Sequence, residues 1–170
     1  MKVKNLSVLL AFVFVFNFVD AQVRIQKVEA SFIANFMRYI KWPGQESIKT
    51  MKVGVFGTNQ AIYDELNITI NGKNVGMATI AVVEVQSAEE MKDCHIVFVS
   101  REKLFKAKKE LEALGANSVM TITEEQNYMP KFAMVNFKVV NSKLTFQLNQ
   151  ELAKQKKIQV SSKLVQMASS

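Results

Sequence analysis

The side chains equipped for chemistry are few. Cysteine and histidine occur once each, as the neighbours Cys94 and His95. Adjacent residues on a strand point to opposite faces, so these two cannot form a thiolate–imidazole pair with each other. Cys94 reads as a small buried apolar residue and His95 as a structural hydrogen-bonding group. A His-rich metal site, or a Ser-His-Asp arrangement, would have only His95 to draw on. Three carboxylate pairs stand side by side: Asp64-Glu65, Glu89-Glu90 and Glu124-Glu125. General acid–base work needs two carboxyls facing one substrate, which adjacent residues rarely do, so all three are expected on the solvated surface. Gly54-Val55-Phe56-Gly57-Thr58-Asn59 leaves a strand and opens a helix. Such a turn either serves the chain reversal alone or binds an anion at the helix N-terminus. It lacks the full dinucleotide fingerprint and the Walker lysine-serine pair. In an open α/β sheet a ligand lies beyond the C-terminal strand ends. The candidate crevice there is Gly57, Thr58, Asn59, Ser100 and Arg101, with Arg101 the one cation in the set. Trp42, beside Pro43, either covers an edge of the core or faces a partner. No motif asks for a cofactor.

These residues must be positioned by elements that periodicity predicts. Val28, Phe32, Phe36 and Ile40 recur every four residues, with Ile25, Ile33 and Met37 beside them in one wide apolar stripe, giving a helix from Val23 to Lys41 that Pro43 stops. Met51–Phe56 is a short valine-rich strand, and Gln60–Leu66 a helix after it. Asn71-Gly72 is a turn signal, placed between Asn67–Ile70 and Lys73–Gly76 as a hairpin. Met77–Val85 is a strand, and Ser87 caps a short turn through Met91. Cys94–Val99 is apolar on both faces apart from His95. Ser100 is expected to cap a helix over Arg101–Leu114, with Gly115 in the left-handed position beyond it. Ser118–Thr123 is the next strand. Val135, Phe137 and Val139 alternate, as do Leu144, Phe146 and Leu148, around Asn141-Ser142. A two-residue loop pairs 139 with 144, 137 with 146 and 135 with 148, each pair apolar on one face. A polar helix, Gln150–Lys157, and a final short helix capped by Ser161 or Ser162 close the chain. Strands alternating with helices, then a hairpin, define an α/β fold: a compact sandwich with a mixed, partly parallel sheet, flanking helices and a C-terminal antiparallel hairpin.

The first residues address the compartment. Lys2 and Lys4 precede an apolar run, Leu6–Val19, that ends at Asp20-Ala21. That is the anatomy of a secretory signal peptide over residues 1–21, cleaved after Ala21. The run is shorter than a spanning helix needs. Residues 22–170 are then expected as one exported, soluble domain that does not span the membrane. The lone cysteine rules out an intrachain disulfide. The chain carries a net charge of +7, which falls to +6 without the leader. After export, an anionic membrane surface or an acidic protein is a better partner for that charge than nucleic acid.

Lys27-Val28-Glu29-Ala30-Ser31-Phe32-Ile33, running through Phe36, Tyr39 and Ile40 to Lys41-Trp42-Pro43, resembles the opening of the YfiR family of periplasmic proteins. The resemblance continues through Val53–Gly57, Asp93–Ser100 and Phe146–Asn149. It closes on Ile158-Gln159-Val160-Ser161-Ser162-Lys163-Leu164. It implies a compact α/β sandwich that can dimerise. It also implies a non-catalytic regulator that docks on an inner-membrane signalling protein, a diguanylate cyclase or a histidine kinase, and controls its output. The crevice residues leave a second reading in place, a small-molecule-binding module. Two departures stand out. The characterised repressor of the family uses disulfides, whereas here Cys94 is alone. Asn127-Tyr128-Met129-Pro130 stands where glycines are expected.

Overall fold

The computed structural model describes residues 25–168. The expected leader, residues 1–21, lies outside that range. The chain forms α1 (residues 25–39), β1 (Ile40–Lys41), β2 (Thr50–Phe56), α2 (Gln60–Thr69), β3 (Asn74–Val75) and β4 (Ala78–Val85). There follow α3 (Ala88–Lys92), β5 (Ile96–Val99), α4 (Leu104–Ala113), β6 (Met120–Thr123), β7 (Val135–Val140) and β8 (Lys143–Leu148). The last elements are α5 (Gln150–Gln155), β9 (Gln159–Val160) and α6 (Ser162–Met167). Seven strands form one sheet in the order β3-β4-β2-β5-β6-β7-β8. The pairs from β4 to β7 are parallel, and β3 and β8 add antiparallel edges. This is the mixed, helix-flanked sheet with a terminal hairpin that the sequence pattern describes.

Alternation along the strands builds a core on each face of the sheet. Val53, Val55, Ile96 and Phe98 point into the larger core with Ile33 and Phe36 of α1 and Ile62 and Leu66 of α2. Phe56, Val97 and Val99 point into the smaller one with Met91 of α3 and Leu104 and Leu111 of α4. Handedness explains the division. The β2-to-β4 crossover runs one way along the sheet, and the β4-to-β5 and β5-to-β6 crossovers run the other. Right-handed connections therefore put α2 on one face and α3 and α4 on the opposite one. Gly54 sits where a side chain is excluded: a Cβ there would lie 2.9 Å from Cys94 Sγ and 3.1 Å from Val85.

The hairpin register is the expected one, with Val139 opposite Leu144, Phe137 opposite Phe146 and Val135 opposite Leu148. Asn141 and Ser142 both take positive φ, 50° and 61°, as a type I′ turn requires. Phe137 and Phe146 meet Phe32 and Phe36 of α1 at centroid separations of 5.1–6.0 Å, which fastens α1 across the hairpin. Other boundaries move. Ile40 leaves the helix and pairs with Val160 in a separate two-stranded ribbon, β1 with β9. The buried stripe of α1 is centred on Ala30, Ile33, Phe36 and Met37, while Val28 is exposed. Asn67–Ile70 is no hairpin arm: α2 runs on to Thr69, and Asn71-Gly72 turns the chain from that helix into β3. The hairpin is instead β3 with β4, turned at Gly76, where φ is 59°.

Candidate functional site

The parallel strands β4-β2-β5-β6-β7 follow the order 2-1-3-4-5, which places the topological switch point between β2 and β5. At their C-terminal ends a crevice of about 220 Å³ opens under the first turns of α1. Asn59, from the loop after β2, lines it beside Ala61 and Ile62. Ser100 and Arg101, directly after β5, line it as well. The sheet thus brings together three of the five residues singled out from the sequence. Gly57 and Thr58 are not among the lining residues. Gly57 holds a left-handed φ of +67° and lies under the Lys103 stem, 3.6 Å from where its Cβ would be.

Two inward-facing carboxyls, besides the exposed Glu102, complete the crevice. Glu29 enters from α1 and Glu124 from the exit of β6. Glu29 is 1% exposed. It stands four residues before Ile33 and seven before Phe36, on the buried stripe itself. That spacing was the signal available in the sequence: a carboxylate on the apolar face of a helix. The expectation that Glu124-Glu125 is solvated surface is overturned, because the loop after β6 folds inward. Asn136, fully buried, holds it there. Its Oδ1 accepts from Thr123 Oγ1 at 2.7 Å and from Glu125 N at 2.8 Å, and its Nδ2 donates to Glu125 O at 2.7 Å. Glu125 is 8% exposed, and its Oε1 accepts from Asn127 N at 3.0 Å. Asp64, Glu89 and Glu90 are exposed, and Glu65 is half-buried.

Burial sets the charge state of the pair. Desolvation, then the neighbouring Glu124 charge, raises the Glu29 carboxyl from 4.5 to about 10. Burial also raises Glu124, opposed by the bonds it accepts from Glu29 and from the Arg101 backbone N–H. At neutral pH Glu29 therefore holds its proton and bonds to the Glu124 side chain. Ionised, its Oε2 would have no donor. Glu124 Oε2 accepts from Arg101 N at 3.2 Å, so this carboxylate takes the capping role expected of Ser100. The Ser100 hydroxyl makes no capping bond, and its Oγ is buried without a partner.

The other chemically notable residues are structural. His95 Nδ1 accepts from Lys52 N at 3.1 Å, and burial, helped by the Lys52 charge, lowers its pKa. Trp42 is 4% exposed; its Nε1 donates to His95 O at 3.1 Å and its ring meets the imidazole edge-on. Trp42 thus packs into the larger core at its edge. Cys94 is buried and free, and burial raises its thiol to about 11. The exposed aromatic surface lies elsewhere. Phe105 is 91% and Tyr128 58% exposed, and both line a groove of about 610 Å³ with Arg101, Lys108, Lys131 and Phe132.

Fold and crevice together define a doubly covered α/β domain with a polar cleft at its switch point. Among the described residues no helix is long and apolar enough to cross a membrane. The chain belongs to the YfiR/HmsC-like family, whose model matches residues 26–169. No curated protein matches it.

Proposed function

We propose that this protein is a non-catalytic periplasmic regulator of cyclic-di-GMP signalling, which docks on the periplasmic part of an inner-membrane signalling protein. Family membership over residues 26–169 carries the reading. The leader-like residues 1–21 supply the route of export. Docking falls to the groove between α4 and the segment after β6. Phe105 and Tyr128 project there without intramolecular cover, the arrangement of an aromatic anchor. Around it Arg101, Lys108 and Lys131 outnumber Glu112 and Glu125, which favours an acidic, apolar segment of the partner. Control follows from differential binding, the regulator holding the partner in whichever state it contacts better. The test is a titration of the mature chain with the purified periplasmic part of an inner-membrane sensor from the same cell, chosen by gene order. Saturable binding that Phe105→Asp weakens is expected. Absence of binding to that sensor by the folded wild-type chain would remove the docking reading.

A further inference from the structure

Among the described residues, two buried side-chain oxygens lack a hydrogen-bond donor, Glu29 Oε2 and Ser100 Oγ. Both line the strand-end crevice, although they come from separate elements, α1 and the exit of β5. Native interiors leave few such groups, and each needs a physical reason. The lining supplies one. Glu29, Ser100 and Glu124 present acceptors from three different elements, while Ala61, Ile62 and Phe98 form an apolar wall. Asn59, Gln26 and Gln126 add neutral polar groups, and Arg101 and Glu102 stand as exposed charges of opposite sign. An anion, the ligand class that the Gly57–Asn59 turn suggested, would meet two carboxyl groups here. A metal ion would find two carboxyls and a hydroxyl, and the described residues hold no group of three carboxylate, imidazole or thiol ligands.

We infer that this crevice is a binding site for a small primary ammonium ligand. Its three N–H donors match the three acceptors of Glu29, Glu124 and Ser100, and its aliphatic chain lies along Ile62 and Phe98. The ligand takes the place of the proton that Glu29 now shares with Glu124, so binding one ammonium ion releases one proton from Glu29. The site does not depend on the docking reading, because it is tested with the purified mature chain alone.

The experiment is calorimetric titration with n-butylammonium chloride at pH 8, with n-butanol as the uncharged control. The expected result is saturable binding of the amine and none of the alcohol. The observed heat should change with buffer ionisation enthalpy by an amount that corresponds to about one proton released. The melting temperature should rise with amine concentration by mass action. Glu29→Gln keeps the shape and removes the charge, and it should weaken binding by roughly tenfold or more, the loss expected for a charge-assisted hydrogen bond. Ser100→Ala, the milder change, should weaken it severalfold. Absence of heat and thermal shift at millimolar amine overturns the inference. So does equal binding of butanol, or unaltered affinity in a folded Glu29→Gln protein. In any of those cases the two oxygens are satisfied by ordered water and the crevice is structural.

Discussion

Glu29 is a carboxyl group that folding takes out of water, and its cost depends on pH. Its pKa rises on folding from 4.5 to about 10, so the folded chain holds this proton more tightly than the unfolded one. The associated stability is complete below about pH 4.5 and is lost progressively as pH climbs towards 10. Glu29→Gln needs no proton. Its stability should match wild type near pH 4.5 and exceed it by a margin that grows as pH rises to 8. Urea unfolding at the two pH values measures this, and a variant less stable than wild type at pH 8 would contradict it. Cys94 makes the opposite case, a group with reactive chemistry held inert. It is 4% exposed, packed against Gly54, and its thiol donates to Glu90 O at 3.5 Å. With the thiolate disfavoured by burial, labelling by Ellman's reagent should require denaturant. The native chain should migrate identically on reducing and non-reducing gels. Cys94→Ala should cost about 1 kcal/mol through lost packing. A disulfide-linked dimer in freshly purified protein would overturn this account.

At the scale of elements, the hairpin β7–β8 was fully legible, down to its register, because alternation and a two-residue loop constrain one another. Its turn nevertheless holds a serine at φ 61°, where glycine is the better residue. Ser142→Gly should raise the unfolding free energy by about 0.5 kcal/mol with no change elsewhere, readable as a shift in the urea midpoint. The misplacements share one physical origin. Ile40 carries helical spacing but is claimed by Val160, more than a hundred residues away, and no local pattern encodes that pairing. Asn71-Gly72 signals a turn correctly but does not say which elements it joins. The crevice was half legible. Asn59, Ser100 and Arg101 follow from the rule that ligands gather at strand ends, whereas Glu124 depends on the buried Asn136 clasping the loop after β6. Glu29 stood in plain view, four residues from both Ile25 and Ile33, where helical spacing puts a carboxylate on the apolar stripe.

At the scale of the molecule, two surfaces divide the work proposed for it. The crevice lies at the switch point of the sheet, and the groove with Phe105 and Tyr128 lies beside it. Arg101 lines both. A ligand in the crevice can thus reach the docking face through one shared residue and the turn that carries it. Phe105 is 91% exposed, so Phe105→Asp should leave stability within about 0.5 kcal/mol of wild type. Any loss of function in that variant then reports on docking and not on folding. The most direct measurement of the central claim is the cyclic-di-GMP content of cells lacking the gene, complemented with wild type or with Phe105→Asp. The account predicts a changed level in the deletion, restored by the wild-type chain and not by the variant, with both proteins present in equal amounts in the periplasm. An unchanged level in the deletion, in cells where the protein is normally expressed, would contradict it.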